Sequence, residues 1–122
     1  MSQERILIVE GDITLGEVLK TRLKALGYLA DCVHTAGEAL EVLKAKWVDL
    51  VVISVLLQGE MHGYQLFREI KRRKEYAEIP VVMQSSKAGM KEMFEEMGAV
   101  AFLVKPYSIE MFLKRIEKIL ER

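Results

Sequence analysis

At 122 residues the chain suits one domain built around a single core. Hydrophobic residues make up 51% and charged residues 30%, a globular rather than a disordered balance. Lys+Arg and Asp+Glu both number 18, so no overall charge draws the chain to nucleic acid or to an anionic membrane, and any binding face must be local.

Cys32 is the single cysteine, which excludes an intrachain disulfide and fits a reducing compartment. The opening "MSQERILIVEGD" has no basic segment followed by an apolar one, so no signal peptide is read. The longest mostly apolar run, Trp47 to Leu57, is too short to span a bilayer. A cytoplasmic protein is expected.

The period of the apolar residues switches repeatedly along the chain. "RILIV" (Arg5 to Val9) is a nearly continuous apolar run, as a strand buried on both faces requires. Leu15, Val18, Leu19, Leu23 and Leu26 keep helical spacing, and Gly27 supplies a stop. "LADCV" (Leu29 to Val33) reads as a short strand, and Ala36, Ala39, Leu40 and Leu43 as a second helix. "LVVI" (Leu50 to Ile53) is the third strand, and Tyr64, Leu66, Phe67 and Ile70 mark the third helix. "PVVM" (Pro80 to Met83) is the fourth strand; Met90, Met93, Phe94 and Met97 form the fourth helix, ended by Gly98. "AFLV" (Ala101 to Val104) is the fifth strand, and Ser108 is a suitable N-cap for a last helix carrying Ile109, Phe112, Ile116 and Ile119. Strand followed by helix, repeated with short connections, predicts right-handed crossovers and a parallel sheet covered on both faces. No linker, repeat or low-complexity tract divides the chain, so residues 1–122 are expected to form one domain with no output domain.

Ligands of such sheets bind beyond the carboxyl ends of the strands. Glu10, Gly11 and Asp12 follow the first strand, Ser54 the third, Gln84, Ser85 and Ser86 the fourth, and Lys105 and Pro106 the fifth. Acids, hydroxyls and one lysine therefore converge on one edge.

In that order the motifs resemble the receiver domain of bacterial response regulators over essentially the whole chain. "ILIVEGD" looks like the family's first strand with its acidic pair, and "VDLVVIS" like its phosphoacceptor strand. "HGYQLFREIK" looks like the Asp-Gly loop and third helix, "IPVVMQSS" like the strand ending in a switch hydroxyl, and "MGAVAFLVKPYSIEMFLKRI" like the fifth strand, Lys-Pro and last helix. The resemblance implies an α/β, flavodoxin-like three-layer sandwich: five parallel strands in order 2-1-3-4-5 with five helices.

It also implies a chemistry. In the family an aspartate at the end of the third strand takes up phosphoryl, Mg²⁺ held by acids offsets the charge, and a lysine and a hydroxyl hold the phosphoryl oxygens. Matched onto this chain, Ser54 occupies the phosphoacceptor position and Gly11 the second acidic position, while Glu10 fills the first. Ser85 and Lys105 match the phosphoryl contacts. Gln58 stands where proline is common, His62 where aspartate is, and the path from Ser54 to Gly63 is one residue longer than usual. A serine is a poor nucleophile without an adjacent base. Glu10 alone would hold Mg²⁺ weakly, and Asp12 could help only in a remodelled loop, so neither a resident metal nor another cofactor is expected. Lys105 is expected to pair with Glu10 or Asp12, or to bond Ser54.

Other features weigh less. Cys32 and His34 share a strand face, but two ligands make no metal site. Glu60, His62 and Ser54 lie close in sequence without the spacing of a triad. The basic run Lys71 to Lys74 reads as a solvated helix end. Met90, Met93 and Phe94 pack a core yet suit an adaptable surface, and with Phe102, at the family's aromatic switch position, they mark the resemblance's output face. The expectation is a stand-alone, non-enzymatic pseudo-receiver in two-component signalling. It would act by contact with a protein partner or a second copy through the face of the fourth helix, fifth strand and fifth helix, with no nucleic acid and no membrane. The alternatives are switching by phosphorylation of Ser54 or Ser85, or by a ligand in the vacated site, and, lower, a small flavodoxin-like cofactor binder.

Overall fold

The computed structural model describes residues 3–121. Its strands are β1 (Arg5–Val9), β2 (Leu29–Val33), β3 (Leu50–Ser54), β4 (Val81–Ser85) and β5 (Ala101–Val104). Its helices are α1 (Ile13–Ala25), α2 (Ala36–Ala45), α3 (Gly63–Arg72), α4 (Lys91–Glu96) and α5 (Ile109–Leu120). The strands form one parallel sheet in the order β2-β1-β3-β4-β5, the arrangement expected from the sequence.

Alternation along each strand divides the apolar residues between two cores. Ile6, Ile8, Leu50 and Val52 face α1 and α5, packing on Leu19, Leu23, Phe112 and Ile116. Leu7, Val9, Val51 and Ile53 face α2, α3 and α4, packing on Ala39, Leu66, Phe67 and Phe94. This is why the central strands read as unbroken apolar runs: both of their faces are covered.

The helix ends follow local chemistry. The Asp12 side chain accepts from Leu15 N at the start of α1, Thr35 and Glu38 form a capping box on α2, and Ser108 caps α5 as its position predicts. Gly27 and Gly98, at φ 97° and 109°, take the left-handed turns that end α1 and α4.

Some boundaries differ from the sequence reading. β3 includes Ser54, and β4 runs from Val81 to Ser85 rather than from Pro80 to Met83. The backbone ladder continues past the apolar residues, pairing Ser54 with Gln84 and Ser85 with Val104. The side chains of Ser54, Gln84 and Ser85 thus lie within the strands, not in loops beyond them. α4 is short, with a 3-10 turn at Ala88–Met90 before it, so Met90 lies outside the helix proper and Met97 is its C-cap.

Candidate functional site

Strand order reverses beside β1, where the crossovers leave in opposite directions and open a crevice at the carboxyl ends of β1 and β3. Glu10 stands at this point. Its backbone N donates to Val33 O at 3.0 Å, which fixes the residue just beyond β1. Its side chain turns inward and the residue is 3% exposed.

The Glu10 carboxylate gathers the cluster. Oε1 accepts from Lys105 Nζ at 2.6 Å, from Gln84 Nε2 at 2.8 Å and from the Ser54 hydroxyl. Oε2 accepts from Asp12 N at 2.9 Å. Ser54 Oγ in turn accepts from Lys105 Nζ at 3.0 Å and from Gln84 Nε2 at 3.3 Å. One donor and two lone pairs are all that a hydroxyl has, so Ser54 is fully used. Tyr107 closes the group by donating to Gln84 Oε1 at 2.6 Å. Among the described residues no buried side-chain polar atom lacks a partner.

Burial by itself would raise the Glu10 carboxyl, but hydrogen bonds from Lys105, Ser54 and the Asp12 backbone outweigh it and hold the group below its ordinary value. Burial and the Glu10 charge push the Tyr107 phenol up, so it stays protonated and remains a donor.

The structure therefore brings Glu10, Ser54 and Lys105 together, with Lys105 on two of the partners the sequence suggests. Asp12 is not among the acceptors, because its carboxylate caps α1. Ser85 is also apart: its hydroxyl accepts from Lys87 N at 3.1 Å, although its carbonyl accepts from Lys105 N. Gln84 and Tyr107 are members to which the sequence reading gave no role. Their signal was a lone amide in an otherwise apolar strand, since a buried amide requires partners.

These residues do not fit Mg²⁺. The ion wants several free oxygen ligands in near-octahedral array. Both Glu10 oxygens are committed to donors, Gly11 offers no side chain, and Asp12 faces the helix.

The remaining candidates also find their places. His62 is the N-cap residue of α3; its Nδ1 accepts from Leu57 N and its ring stacks on Tyr64 at a centroid distance of 5.7 Å, so among the described residues no hydrogen bond joins it to Ser54 or Glu60 in a triad. Lys71 Nζ donates to Ala77 O and Ile79 O, and Arg72 and Arg73 pair with Glu69, so most of the basic run braces its own turn. On the expected output face, Phe94 and Phe102 are buried and stacked on each other, and Met90 is partly buried. Of the residues named for that face, Met93 alone is well exposed, at 49%. Helix α4 fills the core with Phe94, so only its outer side is exposed.

Comparison with known proteins agrees with this fold. The family model for the response regulator receiver domain matches residues 6–117. The chain is 37% identical over 122 residues to the transcriptional regulatory protein RprY of Bacteroides fragilis, covering 97% of this chain and 50% of RprY. It is 32% identical over 120 residues to BaeR of Escherichia coli, covering 97% of this chain and 48% of BaeR. Among solved structures, the non-phosphorylated HemR receiver domain of Leptospira biflexa superposes with a TM-score of 0.86 at 32% identity, covering 98% of this chain and 96% of that one. The chain belongs to the response regulator receiver domain family. It spans about half the length of these curated relatives. No helix among the described residues is long and apolar enough to cross a membrane.

Proposed function

We propose that this domain signals by protein contact, without phosphorylation at Ser54: a pseudo-receiver. The observation that carries the reading is the engagement of Lys105, whose ammonium lies 2.6 Å from Glu10 and 3.0 Å from Ser54. A lysine that is to stabilise an incoming phosphoryl group must be able to meet it; this one is already neutralised. Ser54 is 3% exposed, and the base beside it, Glu10, is held below the ordinary carboxylate range and is too weak to take its proton.

The partner in this reading is a signalling protein, docking where α4, β5 and α5 leave Met93, Met97, Val100, Val104 and Met111 exposed. A second copy of the chain is the other occupant that this apolar face suits. A cytoplasmic setting fits the free thiol of Cys32 and the relatives named as transcriptional regulators. The test is intact-mass measurement after incubation with a small phosphodonor and Mg²⁺. An unchanged mass is expected, and a stoichiometric phosphoryl adduct overturns the reading. A second reading places a kinase at Ser85, which unlike Ser54 is partly exposed. Phosphosite mapping of protein purified from its host, with phosphate at Ser85, would favour it.

A further inference from the structure

One strand away from the Glu10 cluster, the pairing of Cys32 with His34 gains a third member. A carboxylate oxygen of Glu17, Sγ of Cys32 and a ring nitrogen of His34 all lie within 4.8 Å of one another. Glu17 comes from α1, and only the packing of α1 against β2 reveals it.

Two features show that the arrangement is built. The first is Gly16. A Cβ there would sit 2.5 Å from Cys32 Sγ and 3.8 Å from His34 Cε1, so the thiol and the imidazole edge converge on space that any other residue would fill. The second is the orientation of the ring. His34 Nδ1 lies 2.8 Å from the carbonyl oxygen of Glu10. A carbonyl can only accept, so Nδ1 is the donor in this bond and Nε2 is the nitrogen left for a metal. Metal-bound histidines are commonly oriented by just such a bond to an outer acceptor.

We propose that Glu17, Cys32 and His34 form a site for a divalent cation that favours thiolate and imidazole, zinc by its ligand chemistry, with the fourth position open to water or to a side chain of a docking protein. Tetrahedral zinc holds such ligands roughly 3.5 Å apart. The Glu17 side chain closes the gap, since it is exposed and its contact to Lys20 is long, at 4.0 Å. Without a cation, burial and the carboxylates of Glu17, Glu10 and Glu38, opposed by Lys20, push the Cys32 thiol up to about 11. A cation reverses that balance, and the thiol proton leaves to solvent as the metal–sulfur bond forms. The site goes beyond the pseudo-receiver reading and stands whether or not Ser54 takes up phosphate. The two centres nevertheless share Glu10, whose carbonyl orients His34 while its carboxylate holds Lys105.

The test is a titration of the tag-free, reduced chain with Co²⁺. A thiolate-to-cobalt charge-transfer band that saturates at one equivalent and is abolished by Zn²⁺ is expected. Cys32→Ser should remove the band. Glu17→Gln and His34→Gln should each weaken zinc at least about tenfold in a chelator competition, the loss that even an outer partner costs. Glu17→Gln alters an exposed side chain, so its far-UV circular dichroism and melting should match wild type and keep that result free of folding effects. Absence of the band, saturation only above one equivalent, or unchanged zinc affinity in both Glu17→Gln and His34→Gln overturns the proposal.

Discussion

Gly63, the first residue of α3, lies so close to Ser54 that a Cβ built on it would sit 1.7 Å from the Ser54 carbonyl oxygen. The same atom would approach Ile53 Cγ2 to 2.9 Å. Helix α3 therefore reaches the end of β3 only because this residue has no side chain. The obstacle is backbone, which cannot rotate away. Gly63→Ala should cost about 1–3 kcal/mol or more, read as a lowered denaturant midpoint. Gly11→Ala is the control: a Cβ there meets nothing within 4 Å, so it should change far less.

The ion pair between Lys105 and Glu10 has an almost wholly buried member, Glu10. Lys105→Ala leaves that carboxylate facing Ser54 and Gln84 without a cation and should cost about 3 kcal/mol. Adding Glu10→Gln should recover part of the loss, since a neutral amide needs no counter-charge. Equal stability of the single and double variants in urea melts would count against this account.

Acid should act on the same pair. The folded Glu10 carboxyl lies below 4.5, its value without partners. Its contribution is thus complete above about pH 4.5 and is lost as pH falls through the folded value. Asp31 acts in the same sense from 3.8: burial would raise it, but Arg5 and Lys46 outweigh that. Urea midpoints measured from pH 6 downward should fall below this range, and Glu10→Gln should flatten the decline.

Restoring carboxylates tests whether the backbone of the site still suits a metal. Gly11 has open space on its Cβ side, so an acid is tolerated there. An aspartate at Ser54 would compete with Glu10 for Lys105 and free a Glu10 oxygen. Gly11→Asp combined with Ser54→Asp should therefore bind Mg²⁺ more tightly than the parent chain, measurable by calorimetry. A double variant with no added Mg²⁺ affinity would show that the longer path from Ser54 to Gly63 has reshaped the crevice.

The alternation of strands and helices and the helix stops at Gly27 and Gly98 were legible because each rests on local pattern, apolar period, caps and turns, whereas the strand order followed from the resemblance to receiver domains. The meeting of Glu10 with Ser54 and Lys105 was legible too, because parallel strands deliver their carboxyl ends to one rim. Gln84 and Tyr107 were harder to place. Nothing in "PVVMQ" says that the ladder runs on to Ser85 and carries the amide inside with it. The buried side of α4 was half legible: the spacing marked an apolar stripe, but only packing separates Phe94, inside, from Met93, outside. Glu17 was invisible as a neighbour of Cys32, since their meeting depends on how α1 lies across β2.

The Glu10 carboxylate also has a mechanical side. Through the single oxygen Oε1 it joins the end of β1 to Ser54 on β3, Gln84 on β4 and Lys105 just past β5. These strands are successive neighbours in the sheet, so the bonds run across it like a lashing over parallel planks. Strand ends tied in this way cannot fray one at a time. Amide protons along this rim should exchange with solvent only when the whole sheet opens.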